Sequence, residues 1–227
     1  MIKAIVFDFD GTILDTESAE YETWQEVYGR YGQELPLQQW SLIVGSAGHT
    51  FDLLAYLEER VGHALPREEI RAERRRRDDL MVGVMPARDG VVDLVRQAKA
   101  EGVLLAIASS SPRAWVVRHL TRLGLLADFP VIASFDETGR GKPDPASFLL
   151  ALGQLGVQAS EAVAIEDSPN GAMGAAAAGL PCLVVPNPVT ARMTFPEGAR
   201  LHPSLAGLSL AELARLAGAE PSVDATA

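Results

Sequence analysis

The sequence predicts an α/β fold: a doubly wound parallel-sheet core with an all-helical unit inserted after its first strand. Three observations carry that prediction. The chain opens on an almost unbroken apolar run, Ile2 to Phe7, which reads as a strand buried on both faces of a parallel sheet. From about Glu17 to Met81 apolar positions recur at helical spacing, with no strand signal. Beyond the linker Gly83 to Pro86, strand and helix patterns alternate. With 227 residues and 48% hydrophobic content, the chain can fill one large core plus a modest insertion.

Within the helical unit, Tyr21, Trp24, Val27 and Tyr28 make one stripe of a helix from Ala19 to Tyr31, which Gly32 can cap. A second helix runs from Leu37 to about Val44, and the loop Gly45-Ser46-Ala47-Gly48-His49 follows. Thr50 begins a third helix, with Phe51, Leu54, Ala55 and Leu57 facing inwards, that ends at Gly62. Pro66 opens a fourth, through the basic run Arg74 to Arg77, to Met81. In the core, helices are predicted over Gly90 to Ala100, Ala114 to Gly124, Ser147 to Leu155 and Asn170 to Gly179. Strands are predicted over Val103 to Ala108, Val131 to Ala133, Ala162 to Ile165 and Pro181 to Val185. Leu201 starts a last strand, Leu210 to Ala217 is the closing helix, and Pro221 to Ala227 reads as a frayed end. The boundaries that follow are 1–14 and 86–227 for a Rossmann-like catalytic core, and 15–85 for the insertion.

A formal charge of −10 argues against a nucleic-acid partner, because phosphate backbones would be repelled. It suits a metal enzyme that gathers carboxylates at its site. Cys182 is the only cysteine, so an internal disulfide and a cysteine-built zinc site are both excluded. It lies in a strand-like apolar run and reads as an inert core residue. The first apolar run is short for a secretion signal and ends in acids, and no stretch is long enough to span a bilayer. The expectation is a soluble cytoplasmic protein with no membrane partner.

The first strand stops at Asp8, with Asp10 and Gly11 close behind. Side chains two apart on an extended chain point the same way, so both carboxylates can face one spot past the strand's end. Open α/β sheets bind ligands there. Gly11 and Thr12 offer a turn whose N–H groups suit an anion. Plain turn chemistry is the alternative. An EF-hand loop fails, because Ile13 and Ala19 stand where it wants Gly and Glu.

Three more strand ends carry chemistry. Ser109-Ser110-Ser111-Pro112 offers hydroxyls and free helix-start N–H groups to a phosphate-sized anion, or an ordinary N-cap. Lys142, fixed between Gly141 and Pro143, can neutralise a phosphoryl oxygen or a carboxylate, or sit as a surface lysine in a turn. The spacing of a Walker loop is absent. Glu166 and Asp167 are hard oxygen ligands of the kind Mg²⁺ uses, or turn residues. One sheet edge would gather all four groups into a single cleft. The constellation suits phosphoryl transfer through an aspartyl-phosphate, with Mg²⁺ and Lys142 screening charge and Asp10 placed to protonate the leaving oxygen.

In Asp8-Phe9-Asp10-Gly11-Thr12, Ser109, Gly141-Lys142-Pro143 and Glu166-Asp167-Ser168, in that order, the chain resembles the haloacid dehalogenase-like hydrolases. Among them it is similar to the β-phosphoglucomutase-like phosphatases with a helical cap, over essentially its whole length. The resemblance implies Asp8 as nucleophile, Asp10 as general acid/base, and Ser109 with Lys142 holding the phosphate. Gly11, Thr12 and Ser110 are the further candidate phosphate contacts. The resemblance implies Mg²⁺ bound by Asp8, the backbone carbonyl of Asp10, and Asp167, with Glu166 helping directly or through water. It also implies that the insertion is a cap that closes over the cleft and selects the substrate.

Two departures from the family pattern stand out. Glu20 occupies the place nearest to a histidine that many relatives carry in the first cap helix. Gly48 stands near the place of the arginine with which β-phosphoglucomutases grip a second phosphate. The candidate cap contacts are Glu20, Gly45, Ser46, His49 and, from the basic run, Arg76. The alternative readings are His49 as an exposed loop residue and the run as a solvated face paired with Glu69, Glu73 or Asp78. The expected activity is Mg²⁺-dependent hydrolysis of a small phosphorylated metabolite, a sugar phosphate or a relative of one, by a monomer or weak homodimer. A phosphomutase is the alternative enzyme, and a phospho-aspartate receiver module the non-enzyme alternative. The insertion and Asp10 count against the receiver.

Overall fold

The structure, a computed structural model, describes residues 2–45 and 51–219. It opens with β1 (Ala4–Phe7), followed by α1 (Thr16–Arg30), α2 (Leu37–Trp40), α3 (Leu53–Val61) and α4 (Arg67–Val82). The alternating part then runs α5 (Val91–Glu101), β2 (Leu104–Ala108), α6 (Arg113–Leu123), β3 (Val131–Ala133), α7 (Phe135–Thr138) and α8 (Ala146–Leu155). It continues with β4 (Ala162–Glu166), α9 (Pro169–Ala177), β5 (Cys182–Val184), β6 (Arg200–Leu201) and α10 (Leu210–Ala217). The strands form one parallel sheet in the order β3-β2-β1-β4-β5-β6. This is the doubly wound, Rossmann-like fold expected, and the strand order reverses at β1, where such sheets bind ligands.

The apolar strand runs hide a division of labour. Ile5, Phe7, Leu105, Ile107, Val163 and Ile165 pack with residues of α5, α6 and α10. On the other face Ala4, Val6, Ala106, Ala108, Ala162 and Ala164 meet α8 and α9. Both faces are buried, so no polar residue betrays the alternation. The small face draws helices near, and α9 is made of small residues for the same reason. A Cβ at Gly171 would collide with the Glu166 carboxylate, and one at Gly174 would stand 3.3 Å from the Phe148 ring.

The insertion has a core of its own. Trp24, Val27 and Tyr28 of α1 pack with Trp40, Leu53, Leu54 and Leu57, and with Ile70 of α4; Val189, from beyond β5, joins them. Three local details differ from expectation. Helix α1 begins three residues earlier, because the Asp15 carboxylate caps it by accepting from Ser18 N at 3.2 Å. Helix α2 is a single turn. Helix α3 starts after Asp52, whose carboxylate accepts from Leu54 N at 2.9 Å and Ala55 N at 3.2 Å. The expected start, Thr50, lies outside the described residues, as do Pro221 to Ala227. Cys182 is half-buried in β5, and burial raises its thiol well above the ordinary range, so it is poorly nucleophilic. Among the described residues no helix is long and apolar enough to cross a membrane.

Candidate active site

The register of β1 with its neighbours, Phe7 beside Ile107 and beside Ile165, brings Asp8 level with Glu166 at the sheet edge and Ser109 one residue beyond them. Asp8 N donates to Ile165 O at 2.8 Å, which continues the ladder one residue past the strand. Phe9 turns into the core, leaving Asp8 and Asp10 on the other side. The turn that follows needs glycine twice over. Gly11 has φ of +85°, and a Cβ there would collide with the Asp167 carboxylate. Arg88 holds the turn from behind: its guanidinium donates to Gly11 O, to Val185 O at 2.9 Å and to Pro186 O at 2.9 Å.

Lys142 is the centre of the site. Its side chain is 1% exposed, and its ammonium bonds Asp8 Oδ1 and, at 2.6 Å, Glu166 Oε1. The Phe148 ring lies 4.9 Å away beneath it. The surface-lysine reading is therefore excluded by burial. Burial alone would depress the lysine, but the two carboxylates overcome it and hold the ammonium charged. The acids lose this contest. Burial raises Asp8 against the pull of Lys142, raises Asp167 well above its usual range, and pushes Glu166 up to about 7 with help from the Asp8 charge. Three buried carboxylates share one ammonium, so the cluster lacks positive charge.

Ser109 Oγ is buried and accepts from Ser111 N at 2.9 Å, which leaves its own proton to give. The Ser110 hydroxyl is already used: it accepts from Lys142 N at 3.0 Å and donates to Gly45 O at 3.3 Å, tying the lysine loop to the insertion. Thr12 Oγ faces Asp167 Oδ1 at 3.5 Å. Asp10 accepts from Thr16 Oγ at 3.1 Å, Trp115 Nε1 at 2.9 Å and Ser111 Oγ at 2.6 Å, and burial still raises it.

Asp8 and Asp10 open into a cleft of about 570 Å³ between core and insertion. Glu20 and Gly45 line it. A Cβ at Gly45, where φ is +67°, would collide with Ser168 Oγ, so the insertion touches the core there by close backbone approach. Ser46 and His49 lie outside the described residues. Arg76 is exposed and is not a wall residue; Arg74 and Arg75 take that place. Partners also differ from those anticipated. Because α4 packs along the acidic helix α1, Arg74 pairs with Glu20 at 3.3 Å and Arg77 with Glu26 at 3.2 Å, instead of with acids of its own helix.

A family model described as haloacid dehalogenase-like hydrolase matches residues 2–179. The chain belongs to the haloacid dehalogenase-like hydrolases. “Putative phosphatase YhcW” of Bacillus subtilis is 43% identical over 213 residues, covering 94% of this chain and 96% of that protein. Fructose-1-phosphate phosphatase YqaB of Escherichia coli is 34% identical over 181 residues, covering 78% and 92%. A crystal structure of a CbbY variant from Rhodobacter sphaeroides, in complex with xylulose-(1,5)bisphosphate, matches with a TM-score of 0.73 at 32% identity. The match covers 94% of this chain and 99% of that one.

Hydrolases of this family generally use Mg²⁺, and the residues fit a divalent cation. Carboxylate oxygens of Asp8, Glu166 and Asp167 lie within 4.8 Å of one another. Asp8 Oδ2 is buried without a hydrogen-bond partner. A divalent ion would also supply the charge that Lys142 alone does not. Glu166 is the most engaged of the three: beyond Lys142, its Oε2 accepts from Asp167 N at 3.1 Å and Ser168 Oγ at 3.3 Å. It stands as a brace behind the other two.

Sequence reasoning missed Asn187, which donates to Asp167 Oδ2 at 2.7 Å while its Oδ1 accepts from Val189 N and Thr190 N, both at 2.9 Å. The strand-end rule that found Lys142 and Glu166 would have found it, three residues past β5. Trp115 and Arg88 had no such signal. An indole two residues into a helix and an arginine in a linker are chosen by tertiary proximity alone.

Proposed function

We propose that this hydrolase cleaves a small phosphate monoester, a sugar phosphate or related metabolite, through an aspartyl-phosphate on Asp8. In this reading residues 15–85 are a substrate-selecting cap over a core of 1–14 and 86–227. The observation that carries it is the Lys142 ammonium, buried between Asp8 and Glu166 at the sheet's switch point. A cation fixed at the would-be nucleophile is placed to offset the charge that a transferring phosphoryl group brings. The names of YhcW and YqaB support a phosphatase acting on sugar phosphates.

A carboxylate oxygen of Asp8 forms a bond to phosphorus as the bond to the ester oxygen breaks, and Asp10 gives its proton to that oxygen. Ser109 donates to a phosphoryl oxygen, and Lys142 offsets its charge. Asp10, now a carboxylate, takes a proton from the water that attacks the phosphorus of the aspartyl-phosphate. Phosphate leaves and Asp8 is restored. Mg²⁺, held by Asp8, the main-chain carbonyl of Asp10 and Asp167, would stabilise the negative charge shared by nucleophile and phosphoryl group.

The cleft wall argues for an uncharged leaving group with hydroxyls. Six acids face three arginines in the described wall, and Arg74 and Arg118 are paired with Glu20 and Asp79. Trp40 Nε1, Glu17 Oε2 and Asp78 Oδ1 are buried there without partners, and burial with the Glu20 charge pushes Asp78 up to about 7. Hydroxyls can pair with the accessible carboxylates of Glu20 and Asp79, whereas a second phosphate would meet mostly like charge. The test is phosphate release from sugar monophosphates, sugar bisphosphates, phosphoglycolate and an aryl phosphate, in Mg²⁺ and in EDTA, with Asp8→Asn alongside. Mg²⁺-dependent turnover that the substitution abolishes supports the reading. Full activity of Asp8→Asn sinks it, and turnover only with an added bisphosphate would indicate a mutase.

A further inference from the structure

We propose that Trp115 is a positioning residue that decides which oxygen of Asp10 carries the transferable proton. The inference rests on the reading of Asp10 as the proton donor to the leaving group. A carboxylate has two oxygens and about four lone-pair sites. At Asp10, Thr16 Oγ and Trp115 Nε1 both donate to Oδ1, while Ser111 Oγ donates to Oδ2. Among the described residues Oδ1 is therefore full, and the open site is on Oδ2.

The three donors are not equivalent. Either hydroxyl can rotate and accept when Asp10 gains a proton, but an indole N–H can only donate. A proton on Oδ1 would confront a donor that has nowhere to turn. The proton therefore resides on Oδ2, whose remaining site is the one free for an ester oxygen. Without the indole N–H, Oδ1 becomes the better proton site, because Thr16 Oγ at 3.1 Å can turn to accept there, and most of the protonated enzyme carries its proton on the wrong atom.

The indole is held from behind by an unusual neighbour. His119, one turn along α6 and fully buried, meets Trp115 edge to face, with ring centroids 4.3 Å apart. It also packs on Phe9, the residue between the two aspartates, at 6.4 Å. Both His119 ring nitrogens lack partners, and burial pushes the ring down to about 4, aided by Arg118 and Arg122. It serves as a neutral wedge linking the indole to the turn that carries Asp8 and Asp10.

The experiment compares leaving groups. A sugar alkoxide needs the Asp10 proton to depart, whereas a nitrophenolate departs without it. The quantity read is kcat/KM, which covers only the steps through the first bond cleavage. Trp115→Phe keeps a ring against His119 and removes the N–H. It should lower kcat/KM for a sugar monophosphate roughly 10- to 100-fold, the worth of one hydrogen bond to a charged group. For p-nitrophenyl phosphate the change should stay within about twofold. Equal losses on both substrates, or none on either, would overturn the proposal. A wild-type protein that hydrolyses no monoester would instead sink the phosphatase reading itself. A second measurement leaves Trp115 in place and so does not depend on the folding of Trp115→Phe. The wild-type Trp115 indole proton should resonate downfield and shift on Asp10→Ala, and an indole signal indifferent to Asp10→Ala would equally overturn the proposal.

Discussion

Glu166 should make the metal-free enzyme more stable in mild acid than at neutral pH. Its carboxylate is fully buried, and burial with the Asp8 charge carries it from an ordinary 4.5 to about 7. A raised folded-state value means the native protein holds a proton that the unfolded chain has released. The stabilisation is thus complete below about pH 4.5 and is lost as pH climbs through 7. The separation amounts to about 3 kcal/mol at most, or roughly 6–12 °C in melting temperature for a domain of this size. Asp8 and Asp167 are raised as well and act in the same sense, whereas Asp52 and Glu58 on the insertion are lowered and oppose it. Comparison with Glu166→Gln removes those common contributions. Melting in EDTA at several values between pH 5 and 8 should show wild type losing stability with pH more steeply than the variant. Saturating Mg²⁺, by stabilising the ionised cluster, should flatten the wild-type curve. Parallel wild-type and Glu166→Gln curves in EDTA would refute the reasoning, because the cluster would then lack the charge imbalance inferred here.

Two further predictions address positions that the motifs do not single out. Asn187→Ala removes the donor on Asp167 Oδ2 and strands the N–H groups of Val189 and Thr190. It should cost about 1–3 kcal/mol of stability and weaken Mg²⁺ half-saturation of activity roughly 10- to 100-fold, and an unaltered Mg²⁺ titration would contradict the account. Arg74→Ala loses the Glu20 pair and a cation–π contact at 4.9 Å with Trp24, from a side chain only 12% exposed. It should raise KM and lower the melting temperature, while exposed Arg76→Ala should stay within about 0.5 kcal/mol of wild type; the reverse ranking would mean that the wall of the cleft has been assigned to the wrong turn of α4.

The fold was legible because its signals are local. A strand buried on both faces needs only consecutive apolar residues, and α/β alternation needs only the change of period from 2 to 3.6. The four strand-end motifs were legible for a related reason: in a parallel sheet every strand delivers its C-terminal residues to the same edge, so position along the chain predicts proximity in space. The register sets Asp8 beside Glu166 with Ser109 one residue beyond, and Lys142 arrives from the loop between α7 and α8. Helix starts were less legible. Asp15 and Asp52 are good caps, but one apolar stripe begins several residues beyond Asp15 and the other one residue before Asp52, at Phe51, and the stripe was the stronger cue.

What the sequence hid is what two elements decide together. Four consecutive arginines present four directions, and only the packing of α4 against α1 selects Arg74 and Arg75 for the cleft. Which acids those arginines meet depended on the same choice, since i,i+4 partners on α4 compete with a whole acidic face on α1. Trp115 is the sharper case. Its position in α6 reads as part of an amphipathic stripe, and its indole does pack in that way against His119. The same packing aims its one polar atom at Asp10 across 105 residues of chain. A hydrophobic pattern can announce that a tryptophan is half-buried, but not where its N–H points. Residues that tune a catalytic group from the core face of a helix are therefore invisible to motif reasoning, and they are the ones for which a structure adds most.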